Sequence, residues 1–160
     1  MRDIGGLWPL AYLGRPWQEG KPVVLCEGRV DAYLLEEWLP GMCVIGARAA
    51  GDVLALYGGV FRQLLKPPEV WMVPQIDQPD RRGVRVGLHA FRACAAELKE
   101  AGIAVRWWPW GKTLEAVGMT PGGWDQAGFT DLGDLARGGK HTKALKEIAA
   151  HWRVSNGWKK

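Results

Sequence analysis

Acidic side chains recur where apolar runs of this chain end. Glu27 directly follows an apolar run at residues 23–26, and Asp31 opens a helix-like segment just beyond it. Because parallel strands present their carboxyl ends at one edge of a sheet, acids at such boundaries are expected to share a site. Carboxylate oxygens are ligands that Mg²⁺ and Mn²⁺ prefer. The pattern therefore predicts a site for such a cation, with these further acids as metal ligands: Asp77, Asp80, Asp131 and Asp134.

The elements that would position these acids are short apolar runs alternating with helical stripes. The runs predict strands at residues 22–26, 42–45, 70–73 and 104–108, the last broken by Arg106 and therefore expected nearer an edge. Apolar spacings of three and four predict helices at residues 31–39, 52–65 and 84–101. This alternation predicts an α/β fold with an about four-stranded, mainly parallel sheet flanked by helices.

The remaining segments are assigned from turn-forming residues and later helical patterns. Residues 1–20 are rich in Gly and Pro and are predicted as an irregular lead-in or linker. A long irregular excursion is predicted at residues 109–128. Extra helices are predicted at residues 131–136 and 142–153, so that residues 138–160 form a C-terminal helix and tail.

Composition bounds the function more loosely. A chain of 160 residues with a net charge of +4 can form one domain with a real core, and it is compatible with a polyanionic partner. Its three cysteines form no CxxC pair, which indicates buried free thiols in a reducing cytoplasm. No apolar stretch approaches the roughly 18 residues that span a bilayer, and no P-loop sequence occurs. Most of the ten tryptophans are expected in the core, with base stacking as the alternative.

Several residues near the acids carry open alternatives. Gly28 would let a phosphate or metal approach the backbone. Asp31 is either a structural cap of its helix or a secondary acid of the site. Arg48 follows the second strand at the same sheet edge and is predicted to bind phosphate. Three arginines near the start of the third helix are expected either to bind phosphate or to form a solvated basic surface: Arg81, Arg82 and Arg85.

Two of these stretches together resemble the Toprim domain of bacterial-type primases, topoisomerases, OLD-type nucleases and RecR-like repair proteins. They are Glu27-Gly28-x-x-Asp31 after the first strand and the loop from Asp77 to Gly83 after the third. The resemblance implies a Rossmann-like Toprim fold over roughly residues 21–137, with Glu27 as general acid or base and Asp77 as a metal ligand. Residues 128–136, with Asp131 and Asp134, resemble a stretch that follows this core in many phage and plasmid primases.

One departure from the family pattern leaves the metal site open. The family loop reads Asp-x-Asp-x-x-Gly, whereas one additional residue separates Asp77 from Asp80 here, and Pro79 stands in the second acid's place. If Asp80 joins Asp77, the pair supports two-ion phosphoryl transfer. If it does not, the loop supports one ion or structure only.

The resemblance implies the catalytic module of a DNA primase-like replication protein of a phage or plasmid. Its chemistry would be metal-dependent nucleotidyl transfer; the alternatives are a Toprim-type nuclease and a non-catalytic scaffold that binds nucleic acid or protein. The implied partners are single-stranded DNA, nucleotides, and a helicase or zinc-binding module on the same or another chain, with no membrane. We expect primer synthesis by this chain alone to be weak or absent.

Overall fold

The computed structural model describes residues 11–13, 15–56, 61, 66–119 and 131–158. Within them one five-stranded sheet has the order β1-β3-β2-β4-β5. β1 pairs with β3 in the antiparallel sense, and all other neighbours are parallel. The strands are β1 (Ala11–Leu13), β2 (Val23–Glu27), β3 (Cys43–Ala47), β4 (Glu69–Val73) and β5 (Ala104–Trp107).

Helices connect and cover the strands of this sheet. The connections between the parallel strands run through a helix each, as parallel pairing requires. The helices are α1 (Arg29–Trp38), α2 (Ala50–Leu56), α3 (Val86–Glu100), α4 (Trp110–Ala116), α5 (Leu132–Ala136) and α6 (Thr142–Ser155). The predicted α/β class with a mainly parallel sheet flanked by helices is therefore confirmed, and β5 lies at an edge as expected.

Two elements differ from the sequence prediction. β1 lies inside the segment predicted as an irregular lead-in, where it covers the open edge of β3. α4 lies inside the predicted excursion, and its seven residues are too few to display a helical period. The indole of Trp110 ties this helix to the sheet by donating to the Pro74 carbonyl at 3.2 Å. Residues 57–60 and 62–65 of the predicted second helix, and residues 120–128, lie outside the described part.

The central strands are apolar along their whole length because both of their faces are covered. Val23 and Leu25 pack toward α2 and α3, whereas Val24 and Cys26 pack toward α1, α5 and α6. α6 contributes Trp152 to the second of these layers, so it belongs to the same core as the sheet. In the described part of the chain no helix is both long and apolar enough to cross a membrane.

The tryptophans mostly serve the core, as predicted. The Trp152 ring lies 4.7 Å from that of Trp71 and 5.1 Å from that of Trp108, measured between centroids. Trp38 is buried in the same layer, while Trp107 is exposed. Trp8 and Trp124 lie outside the described residues.

The turn that follows β2 presses closely against β3. Gly28 has φ +85° and donates its amide to the Ala47 carbonyl at 2.7 Å. A Cβ atom on Gly46 would lie 2.9 Å from the Gly28 carbonyl oxygen and 3.0 Å from the Ala32 side chain. Glycine at position 46 is therefore what allows α1 to begin directly above β3.

We expect Gly46→Ala to lower the free energy of unfolding by about 1–3 kcal/mol, because its methyl group would collide with rigid backbone. Gly111→Ala is the matched control. Gly111 lies in α4, where an added Cβ atom would meet nothing within 4 Å, and alanine there should be neutral or stabilise by up to about 1 kcal/mol. Urea unfolding measures both. Equal stabilities of the two variants would contradict the close approach.

Candidate functional site

Glu27 occupies the last position of β2, at the carboxyl edge of the sheet. Its side chain is partly buried, and the backbone amide of Ala50 at the start of α2 donates to its carboxylate. The other carboxylate oxygen, Oε2, is buried and has no hydrogen-bond partner in the described part of the chain. One half of the carboxylate is thus anchored, and the other half is available.

Asp77 follows β4 in the loop that leads to α3. The Gly87 amide in the first turn of α3 donates to its Oδ2 at 3.3 Å, and the Arg85 guanidinium donates to its backbone carbonyl. Its Oδ1 is buried and, like Glu27 Oε2, lacks a hydrogen-bond partner within the described residues. The start of α3 therefore holds one carboxylate oxygen of Asp77. As in Glu27, the other oxygen has no hydrogen-bond partner among the described residues.

The oxygens of Glu27 and Asp77 that lack partners among the described residues both lie close to Gly87. A Cβ atom on Gly87 would lie 2.9 Å from Glu27 Oε2 and 3.3 Å from Asp77 Oδ1, so these oxygens are at most about 6 Å apart. Burial, and then the Asp77 charge, raise the pKa of Glu27. The sequence prediction that acids from two separate strand ends meet at one sheet edge is confirmed for this pair.

The donor set fits one hard cation. Mg²⁺ commonly binds through one or two carboxylates and completes its coordination with water and substrate phosphate. Glu27 Oε2 and Asp77 Oδ1 would supply two such oxygens. Among the described residues, no group of three or more His, Cys, Asp and Glu side chains is arranged to hold a metal ion. The pair therefore suits an ion that substrate helps to bind.

Asp80 is engaged within its own loop. Its Oδ1 accepts hydrogen bonds from the Arg82 and Val84 amides at 2.8 and 3.0 Å, and its Oδ2 accepts from the Arg82 guanidinium. The amides of Val84 and then Arg82 lower the pKa of Asp80. Of the two alternatives for this loop, its contacts favour the one in which Asp80 folds the turn rather than joins Asp77.

The remaining acids form a second group between α1 and α5. Asp131 is the N-cap of α5, where its Oδ1 accepts from the Asp134 amide at 2.7 Å. Its Oδ2 accepts from the Gln75 side chain at 3.2 Å. Asp134 pairs with Arg137 at 2.9 Å. The predicted metal ligands Asp131 and Asp134 thus have structural partners, and Gln75 links Asp131 to the loop after β4.

Asp31 does not cap α1, because that helix begins at Arg29 and no side chain caps it. Instead its Oδ1 accepts from the Gly133 amide of α5 at 2.8 Å, across 102 positions of sequence. The residue is only 2% exposed, and its Oδ2 has no hydrogen-bond partner in the described segments. Burial, reinforced by the charge of Asp131, raises the pKa of Asp31 to about 8.

Most of the predicted phosphate-binding groups already have partners. Arg48 pairs with Asp52 at 3.3 Å, Arg82 pairs with Asp80, and Arg85 binds the Asp77 carbonyl. The Gly28 amide is likewise occupied by Ala47. Arg81 is exposed and makes no ion pair with the described residues.

Sequence reasoning missed three groups that shape the site. Ala50 anchors Glu27 through its backbone amide, which no side-chain pattern reveals. Gln75 is a polar residue shortly after β4, at the sheet edge where the site is predicted. Its position in the sequence could therefore have identified it as a site residue. Gly87 lies against both acids; a glycine within a predicted helix was the second signal.

No protein-family model, curated protein or solved structure matches this chain. The case for a function therefore depends on the geometry of the two acid groups and on the sequence patterns that carry them.

The buried Asp31 predicts an unusual pH dependence of stability. Its folded-state pKa of about 8 lies above its ordinary value of 3.8, so the folded state keeps a proton that the unfolded state releases. The free energy of unfolding should fall as pH rises between the two pKa values, 3.8 and about 8, by up to about 1.4 kcal/mol per pH unit. Above the higher pKa it should level off. Asp31→Asn keeps an acceptor for Gly133 and should flatten the fall in urea unfolding measured from pH 5 to 9.

The control for this measurement is Glu100→Gln, which removes one negative charge from an exposed position at the end of α3. We expect this variant to retain the wild-type slope. Identical slopes for wild type and Asp31→Asn would show that the Asp31 carboxyl does not carry the pH dependence.

Proposed function

We propose that this chain is a Toprim-type catalytic module for metal-dependent phosphoryl transfer on nucleic acid, and that its reaction is primase-like nucleotidyl transfer. The observation that supports the proposal is the convergence of Glu27 Oε2 and Asp77 Oδ1, both buried and without hydrogen-bond partners among the described residues. The Glu27-Gly28-x-x-Asp31 pattern adds to it, because it places the same glutamate at the same strand end as in that family.

Glu27 is the proton-transfer group of the proposed reaction. A general acid or base works best when its pKa lies near the working pH, and burial together with the Asp77 charge shifts the pKa of Glu27 in that direction. Its anchored half, held by the Ala50 amide, fixes its orientation. In nucleotidyl transfer, Glu27 accepts the proton of the attacking 3′-hydroxyl as pyrophosphate leaves the incoming nucleotide.

Asp77 Oδ1 is the direct metal ligand in this proposal, and Glu27 Oε2 stays free of the ion to take the proton. A bound Mg²⁺ or Mn²⁺ would neutralise charge that develops on the phosphate oxygens. Glycine at position 87 lets both carboxylates approach the start of α3, since a Cβ atom there would crowd Glu27 Oε2 and Asp77 Oδ1. Asp131 acts on the pKa of Glu27 by its charge and belongs to the surrounding electrostatic field.

A non-catalytic scaffold is the second candidate, and it too has a specific observation in its favour. The Asp80 carboxylate is occupied by its own loop, and the described residues include no three-ligand metal group. In this case the fold would bind nucleic acid or protein without chemistry. The nuclease alternative uses the same acids on water instead of a sugar hydroxyl.

The setting follows from the same proposal. Cys26, Cys43 and Cys94 are all free and buried, which suits a reducing cytoplasm. The partners are single-stranded DNA and nucleotides, with a helicase or zinc-binding module supplying template selection.

The first test is activity. We expect weak extension of a labelled primer on a single-stranded template with Mg²⁺ or Mn²⁺, and a loss of about 100-fold or more in Glu27→Gln and Asp77→Asn, because each removes a group that acts on the reacting atoms. Glu115→Gln, on the exposed side of α4, is the matched control and should retain activity. Cleavage of labelled DNA in the same reactions would identify the nuclease instead. Activity that survives both substitutions would show that Glu27 and Asp77 do not form the active site.

The second test is metal binding, which separates the catalytic proposal from the scaffold. Titration calorimetry with Mn²⁺ should give heat that Asp77→Asn lowers through an affinity loss of about tenfold or more. Asp80→Asn should leave the Mn²⁺ affinity unchanged, because Asp80 stabilises its turn rather than the ion. No heat from the wild-type protein would favour the scaffold.

A further inference from the structure

A surface groove lies between α3 and the edge strand β5, on the side of the sheet that α3 covers. It has a volume of about 520 Å³ and follows the length of α3. Its lining residues are Leu88, Arg92, Ala95, Ala96, Lys99 and Trp107. None of them belongs to the acid groups described above.

The groove is electropositive. Arg92 and Lys99 are exposed and make no ion pair with the described residues. They stand seven positions apart on α3, which is two helical turns or about 10.5 Å along one side of the helix. No acid lines the groove, although Glu97 and Glu100 lie on the same helix. The charge of this surface therefore complements an extended polyanion.

An exposed indole completes the groove. Trp107 is 36% exposed, whereas the other described tryptophans are buried or half-buried. Its neighbour Arg106 is directed away, where it pairs with Glu69 at 3.3 Å. An aromatic face next to unpaired cations is the arrangement that binds single-stranded nucleic acid, with bases on the ring and phosphates on the cations.

The groove also leads to the candidate site. Leu88 follows Gly87 directly, and Gly87 lies against both Glu27 and Asp77. From Leu88 to Lys99 the groove runs for about 16 Å of helix. A strand lying in it would therefore reach the carboxyl edge of the sheet at the start of α3.

We propose that this groove binds single-stranded nucleic acid, with a base stacked on Trp107 and backbone phosphates at Arg92 and Lys99, and that it guides the strand toward Glu27 and Asp77. The choice of ligand rests on the proposed function. Of the possible occupants, a single strand is the one that uses both the ring of Trp107 and the two exposed cations, Arg92 and Lys99.

The test is fluorescence anisotropy with a labelled oligothymidylate of roughly 12 nucleotides, within the site sizes of single-strand-binding proteins. The buffer contains EDTA, so metal-dependent chemistry cannot affect the result. Arg92→Gln/Lys99→Gln should weaken binding about tenfold or more and lower the slope of log affinity against log salt by about 1.4, for two lost phosphate contacts. Lys112→Gln/Lys143→Gln is the control with the same loss of charge and should bind within about twofold of wild type.

The stacking contact is tested separately with Trp107→Leu. We expect at least about fivefold weaker binding of oligothymidylate, and unchanged binding of an abasic strand of the same length, because only the first offers bases to the ring. Circular dichroism establishes that each variant is folded.

Three outcomes would overturn the inference: equal losses in the two double variants, equal effects of Trp107→Leu on both strands, or displacement of the oligonucleotide by polyglutamate at equal charge concentration. The proposed function is tested separately, by the primer-extension and cleavage reactions. A protein that binds through the groove but neither extends nor cleaves would keep this inference and lose the catalytic proposal.

Discussion

The close approach of two carboxylates at Gly87 is the constraint on which the rest of the site depends. Two buried acidic oxygens at most about 6 Å apart, neither with a hydrogen-bond partner among the described residues, repel one another unless a proton or a cation lies between them. Their positions hold because the opposite oxygens are anchored, Glu27 by the Ala50 amide and Asp77 by the Gly87 amide. The protein thus fixes two carboxyl groups next to one another before any ligand arrives.

The two carboxyl groups can hold these positions because glycines allow close backbone contacts at two places. Gly46 admits the turn at Gly28, which lets α1 begin directly after Glu27. Gly87 admits both carboxylates at the start of α3. On the far side, Asp31 holds α5 to α1 through the Gly133 amide, and Gln75 connects Asp131 to the loop after β4. The second acid group therefore supports the loop that presents Asp77.

The pairing of Glu27 with Asp77 could be predicted because it follows from topology. Parallel neighbours β2 and β4 end at the same edge, so acids at their ends must approach. Asp31 and Asp80 could not be assigned in this way. The partner of Asp31 lies 102 positions away, and the partners of Asp80 are amides of a turn that the sequence does not reveal. β1 and α4 escaped prediction because each is too short to show a period.

α3 contacts the paired carboxyl groups at its start and lines the basic groove along its length. Its first turn donates the Gly87 amide to Asp77, and its next residue, Leu88, opens the basic groove that ends at Lys99. In the loop before α3, Asp80 closes the turn by accepting the Arg82 and Val84 amides. Asp80 thus stabilises the loop through which the chain enters α3, while the contacts of Asp77 with Arg85 and Gly87 tie the start of that helix to the paired carboxylates.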